Sequence, residues 1–259
     1  MGSTRCAKIN LLMQGWPNGV VKTTAELADL GVRASLAQSY VRQGWLVSVG
    51  KGAYARAHDQ VIRLGALKGL QYGQPPHVHA GGRSALEFLG YGHYASPHER
   101  TLFLFAPPRC KLPAWFRRLL GETKACFTSS SFLPYAASET FTLHDAGGFT
   151  VTVSVPERAA LELLYHVPGR VGFDEARQIV SGLGTLRPSV LQGLLEHCSS
   201  VKVKRLFLYL AREAGYGWYK ELRQASFDLG SGKRMVVKGG RLDREFGITV
   251  PTGSTGEPY

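Results

Sequence analysis

The residues with the clearest chemistry in this 259-residue chain lie between Arg33 and Arg56. Ser35, Gln38, Ser39 and Arg42 share one side of a helix spanning about residues 34–43, with Arg33 at its entry. Leu36, Ala37, Tyr40 and Val41 take the other. Short hydroxyls, an amide and arginines are the groups that hydrogen-bond base edges and phosphates. Lys51, in the Gly50-Lys51-Gly52 corner, and Arg56 just beyond it are placed to reach a flanking sugar–phosphate backbone. An ordinary solvated face, or a protein-docking module, accounts for the same residue types. Charge tilts the balance: 31 Lys and Arg stand against 19 Asp and Glu, a net +12 that favours a polyanionic partner such as double-stranded DNA.

The elements that must position those side chains are written in local signals. Thr23 and Glu26 form a capping box, Leu27 and Leu30 give a short helix one apolar face, and Gly31 stands where a left-handed cap ends it. The polar-faced helix follows after a tight turn and closes at Gly44. Residues 45–49, the glycine corner and residues 53–55 make a small hairpin, the wing. Cys6, Ile9, Leu12 and Met13 set a further helix over residues 4–14, completing a winged helix-turn-helix.

Beyond a helical stretch at 59–70 and Pro75-Pro76 the texture alternates. Residues 77–80 read as a strand, and Ser84 as the cap of a helix over 85–89. Strands are expected at 101–105, 140–144 and 149–155, the last two as a hairpin around 145–148. Ser154-Val155-Pro156-Glu157 reads as a second capping box, launching a helix to about 166. Helices follow near 174–183, 188–197 and 202–214, then strands at 234–238 and 247–250. The expected fold class is α+β, an N-terminal winged helix followed by a larger mixed α/β domain. Its divisions are 1–58 (winged helix), 59–74 (linker helix), 75–251 (second domain) and 252–259 (flexible tail). The 44% apolar and 19% charged composition belongs to a folded, globular chain. Cys6, Cys110, Cys126 and Cys198 are scattered as in a reducing compartment. Neither a signal-peptide core nor a membrane-length apolar run is present, so a cytoplasmic location without membrane contact is expected.

Catalytic signals are thin. Gly230-Ser231-Gly232-Lys233 resembles the end of a phosphate-binding loop, but Phe227 holds the first glycine's place and Arg234 that of the magnesium-binding hydroxyl. Gly81-Gly82-Arg83-Ser84 before a helix reads as a glycine turn with a cap, with an anion nest as the alternative. His77 and His79 have no third ligand at metal spacing. His98, Glu99 and Asp145 stand isolated, and Arg158 with Glu162 makes a structural i,i+4 ion pair. The expectation is no enzyme activity, no catalytic residue, no metal and no cofactor.

A second functional signal is charge. From Lys202 to Phe246 eleven basic residues stand against five acidic ones, with Tyr216, Trp218 and Tyr219 among them. Lys202, Lys204, Arg205, Lys233, Arg234, Lys238 and Arg241 mark a possible second surface for nucleic acid or an acidic partner; a solvated basic face is the alternative.

Four passages resemble the AbiEi family of antitoxins from abortive-infection, type IV toxin–antitoxin pairs. They are the winged helix, Gly82 to Tyr91, Ser154 to Leu164, and Lys204 through the Asp228-Leu229-Gly230-Ser231-Gly232-Lys233-Arg234 and Lys238-Gly239-Gly240 runs to Pro251. The resemblance implies a repressor that binds inverted repeats upstream of its own operon through the winged helix. It also implies a C-terminal domain that counteracts a toxin like the AbiEii nucleotidyltransferase, in phage defence. No catalytic residues carry over. The competing readings are a ligand-responsive winged-helix regulator without a toxin and a nucleic-acid-modifying enzyme targeted by the winged helix.

Overall fold

The computed structural model describes residues 2–73, 78–91, 101–121 and 125–252. Pro75, Pro76, His77, His98, Glu99 and the tail after residue 252 lie outside the described residues, as does the Cys6 side chain. The chain is mixed α+β.

The N-terminal unit comprises α1 (Gly2–Gln14), β1 (Lys22–Thr23), α2 (Thr24–Asp29), α3 (Ala34–Arg42), β2 (Leu46–Gly50) and β3 (Ala53–Arg56), with the strands paired antiparallel in the order β1-β3-β2. Thr23 caps α2 by accepting a hydrogen bond from the Glu26 amide. The return half of the capping box is absent, because the Glu26 carboxylate is bound to the buried Lys22 ammonium instead. Both α2 and α3 end in the same way. Gly31 (φ +74°) donates to the Ala28 carbonyl while Val32 donates to Leu27; Gly44 (φ +78°) donates to Val41 while Trp45 donates to Tyr40. This double bond pattern needs a left-handed residue at the cap, which glycine adopts without strain. Leu27 and Val32 are fully buried, but Leu30 is half exposed and so does not extend the apolar face of α2.

Helix α4 (Arg63–Leu70) joins this unit to the rest. Gly65 and Gly69 lie directly on the backbone of residues 19–21, and the Gly65 carbonyl accepts from the Val21 amide. At its end the Gln71 amide binds three backbone groups: its nitrogen donates to Val78 and Thr152 carbonyls, and its oxygen accepts from Thr152 N–H.

The larger unit is built on a mixed sheet of β4 (His79–Ala80), β5 (Leu102–Ala106), β6 (Ala125–Ser129), β7 (Phe141–Asp145) and β8 (Thr150–Ser154), in the order β6-β5-β4-β8-β7. Pairs β5–β6 and β4–β8 are parallel; β4–β5 and the hairpin β7–β8 are antiparallel. Helix α5 (Gly82–Phe88) crosses from β4, and α6 (Ala114–Leu120) links β5 to β6. Then come α7 (Pro156–Tyr165), α8 (Phe173–Val180), α9 (Pro188–His197), α10 (Val201–Ala214) and the short α11 (Gly217–Lys220). A small sheet of β9 (Arg234–Met235), β10 (Arg241–Asp243) and β11 (Ile248–Val250) closes the chain in the order β10-β11-β9.

Two expected caps are put to other use. Ser84 lies inside α5, where its hydroxyl accepts from the Phe103 amide at 2.9 Å and ties the helix to β5. Ser154 donates to Glu162, and Glu157 turns away to Arg187, so no capping box forms at α7. A proline in the first turn, which needs no N–H partner there, starts that helix.

Candidate nucleic-acid interface

Helix α3 sits with Ala37 and Tyr40 buried and its opposite face in solvent. Arg33, Ser35, Gln38 and Arg42 are exposed and Ser39 is partly so. Gln38 donates to the Tyr54 hydroxyl at 3.1 Å, fixing its amide against β3, and Ser39 accepts from Gln43 at 3.2 Å. Four polar side chains thus share the outer face of α3, with Arg33 exposed at its N-cap and Lys51 exposed at the wing corner. Helix α3 has the exposure and chemistry of an element that enters a major groove.

Arg56 has a different place. Its guanidinium makes two bonds to the Asp59 carboxylate, at 2.9 and 3.1 Å, and a third to the Trp16 carbonyl at 3.0 Å. Asp59 in turn accepts from the Gly19 amide. Arg56 therefore staples the end of the wing to the turn after α1 instead of projecting as a free cation.

The wing is held from outside its own unit. Trp115 of α6 packs against Gly50, and the Arg118 guanidinium donates to the Val49 carbonyl. A Cβ at Gly50 would stand 2.6 Å from the Trp115 Cβ, so only glycine permits this approach. Sequence reasoning does not reach either residue. The signal was available: Ala114-Trp115-Phe116-Arg117-Arg118-Leu119-Leu120 follows a proline with apolar residues at helical spacing.

The proposed second basic surface is divided by the structure. Lys202 donates to the Tyr165 and Val167 carbonyls at 2.9 and 2.6 Å, and Lys204 is buried. Arg205 donates to the carbonyls of Leu229, Gly230, Gly232 and Gly247. Lys202 and Arg205 are internal clamps, captured by backbone carbonyls of loops and a helix end, and Lys204 is withdrawn from the surface by burial. Lys233, Lys238 and Arg241 are exposed and Arg234 partly so. Trp218 is also interior: it stacks on Phe207 and donates to the Leu183 carbonyl.

The group most isolated from solvent is a polar knot under α7. The Glu162 carboxylate accepts four bonds: from His79 Nε2 (2.9 Å) and Arg158 Nε (2.8 Å) on one oxygen, and from the Gly82 amide (3.0 Å) and Ser154 Oγ (2.7 Å) on the other. The Arg158 guanidinium lies over the rings of Tyr135 and Phe141. Burial alone would raise the Glu162 carboxyl. The charges and hydrogen bonds around it, those of His79, Arg158 and Ser154, outweigh burial and hold it well below the usual carboxylate range. At His79 burial is the largest influence and pushes it below the usual imidazole value, against the pull of Glu162; its Nε2 faces the carboxylate and carries the proton of that hydrogen bond. The knot ties β4, α5 and β8 to α7 through His79, Gly82 and Ser154.

A second histidine, His166, contacts Thr128 Oγ1 at 3.0 Å and Cys126 Sγ at 3.8 Å. Burial, then the cations Arg170 and Lys202, hold it down at about 4. Cys126 is itself shifted upward by burial, which disfavours its thiolate. A histidine depressed in the folded state keeps its stabilising effect above the unfolded value of ~6.5 and loses it as pH falls toward about 4. The melting temperature should therefore drop between pH 6.5 and 4, and His166→Gln should flatten that slope; an unchanged slope would show that other groups control it.

Among the described residues no set of His, Cys, Asp or Glu could hold a metal ion, and no helix is long and apolar enough to cross a membrane.

Comparison with known proteins adds two family matches. Residues 5–96 match the model described as transcriptional regulator, AbiEi antitoxin N-terminal domain. Residues 99–251 match the model described as transcriptional regulator, AbiEi antitoxin, type IV TA system. No curated protein matches. Among solved structures, the RV2827C protein from Mycobacterium tuberculosis aligns over 95% of this chain and 90% of its own, with TM-score 0.63 at 18% identity. At that identity the likeness concerns the fold.

Proposed function

Because the chain belongs to the AbiEi antitoxin family of transcriptional regulators from type IV toxin–antitoxin systems, we propose that it represses its own operon by docking α3 in the major groove of inverted repeats. The observation that carries this reading is the outer face of Ser35, Gln38, Ser39 and Arg42, with Arg33 at the N-cap and Lys51 at the wing corner. The arginines supply bidentate donors for guanine or phosphate, and Gln38 is pre-oriented by Tyr54.

The antitoxin role is assigned to the larger domain, residues 75–251, acting against a nucleotidyltransferase-type toxin. The family relation supports it, and so does the topology: α3 and the five-stranded sheet belong to different units, joined by α4, so the two tasks use different surfaces.

The test compares the DNA upstream of the chain's own gene with scrambled DNA of equal length across a salt series. Preference for its own site that persists at physiological salt supports sequence reading. Equal binding that collapses with salt would reduce the interaction to charge and sink the repressor reading. Arg42→Ala should cost about 1–3 kcal/mol of operator affinity and relax preference at one base pair. The same variant, co-expressed with the toxin, should still rescue growth; loss of rescue together with repression would refute the separation of tasks.

A further inference from the structure

The Gly230-Ser231-Gly232-Lys233 run is not absorbed by the function above, and the structure gives it a setting that the sequence does not. It is followed by β9, not by a helix, so it is no phosphate-binding loop of the familiar strand-to-helix kind. Instead the run borders an open cleft of about 320 Å³ between α10 and the small C-terminal sheet. Arg205, Lys233 and Arg244 line the cleft, with Leu229 and Leu242 as its apolar walls.

Arg205 is the informative member. It is only 6% exposed, yet among the described residues no carboxylate pairs with it. Its hydrogen bonds go to four backbone carbonyls, which leaves one of its five N–H donors over. The charge nearest to it in effect is another cation, Arg234, which adds to burial in disfavouring the charged form. The lone acid on the lining, Glu245, is bound to Arg212. Gly247 (φ +61°) also lines the cleft, and a Cβ there would stand 2.9 Å from Arg205 Nη1 and crowd the guanidinium. A buried cation without a counter-charge is costly, and an anion in the cleft would offset that cost.

We propose that this cleft binds a multiply charged phosphate group, held by Lys233 and Arg244 in front of Arg205. Guanidinium groups match phosphate oxygens in pairs, and three cations suit a di- or triphosphate better than a monoanion. The volume exceeds a bare phosphate, and Leu229 and Leu242 offer apolar contact for whatever the phosphate carries. A free nucleotide and a nucleic-acid backbone share this chemistry. The inference does not depend on the operator-binding role.

The experiment titrates the full chain with inorganic pyrophosphate and with ATP, followed by calorimetry. Saturable binding below about 1 mM is expected. It should weaken at least about tenfold in Lys233→Ala/Arg244→Ala, whose exposed side chains leave the core intact, and stay unchanged in Arg42→Ala/Lys51→Ala. Displacement of pyrophosphate by a short random-sequence duplex would assign the phosphate to a nucleic-acid backbone; persistence of pyrophosphate would assign it to a free nucleotide. Absence of saturation at several times that concentration, or equal affinity in the cleft variant, overturns the site.

Discussion

Glu162→Gln is expected to destabilise the protein by about 3–5 kcal/mol, because it strands the Arg158 guanidinium in the interior without its counter-charge. The carboxylate and the guanidinium are both fully buried, and four donors converge on the former. Urea unfolding of the variant, followed by midpoint and slope, measures the loss directly. A change of less than about 1 kcal/mol would show that the knot is held by packing and not by charge. Replacing both partners, as in Glu162→Leu with Arg158→Met, should not restore stability, because His79 Nε2–H, the Gly82 amide and the Ser154 hydroxyl would be left buried without their acceptor. The pH behaviour has a definite sign. A carboxyl depressed by folding contributes fully above its unfolded value of ~4.3, and the contribution drains away as pH falls below it. That window lies under most of the one governed by His166, so the two groups can be separated in a single acid titration.

Gly65→Ala should cost about 3 kcal/mol or more, although alanine is ordinarily the better helix former by up to ~1 kcal/mol. The reversal comes from one contact. A methyl group at Gly65 would overlap the Gly19 carbonyl oxygen, and would stand 2.7 Å from that carbonyl carbon and 2.9 Å from the Val20 Cα, all of it backbone that cannot swing aside. Gly193, inside α9 with nothing within 4 Å of an added Cβ, is the matched control and should gain stability on the same change. Thermal melts of the two variants settle the matter; a Gly65→Ala protein as stable as the wild type would mean that α4 is free to shift off residues 19–21.

The winged helix was legible because its signals are local. Thr23, Gly31 and Gly44 each report the conformation of the few residues around them, and the polar and apolar faces of α3 separate at helical period. What escaped depends on distant neighbours. The i,i+4 spacing of Arg158 and Glu162 is the same on a surface or in a core, so only the structure shows that His79, Gly82 and Ser154 surround the carboxylate. Ser84 and Ser154 looked like caps because caps and strand-to-helix ties use the same hydroxyl. The basic count of the C-terminal third was correct as chemistry and misleading as geography: a net charge is blind to burial, and carbonyls of loops had already captured Lys202 and Arg205. The role of α6 was invisible for the same reason, since Trp115 and Arg118 acquire it only by touching Gly50 and Val49.

That clamp on the wing has a consequence for how DNA would be chosen. A loosely tethered wing adapts to whatever groove it meets, whereas one pinned by a tryptophan and an arginine from another unit keeps its distance to α3 fixed. The duplex must then do the adapting. Its bending and groove width at steps beneath the wing become part of the binding energy, so base pairs that no side chain reaches would still be selected through their stiffness.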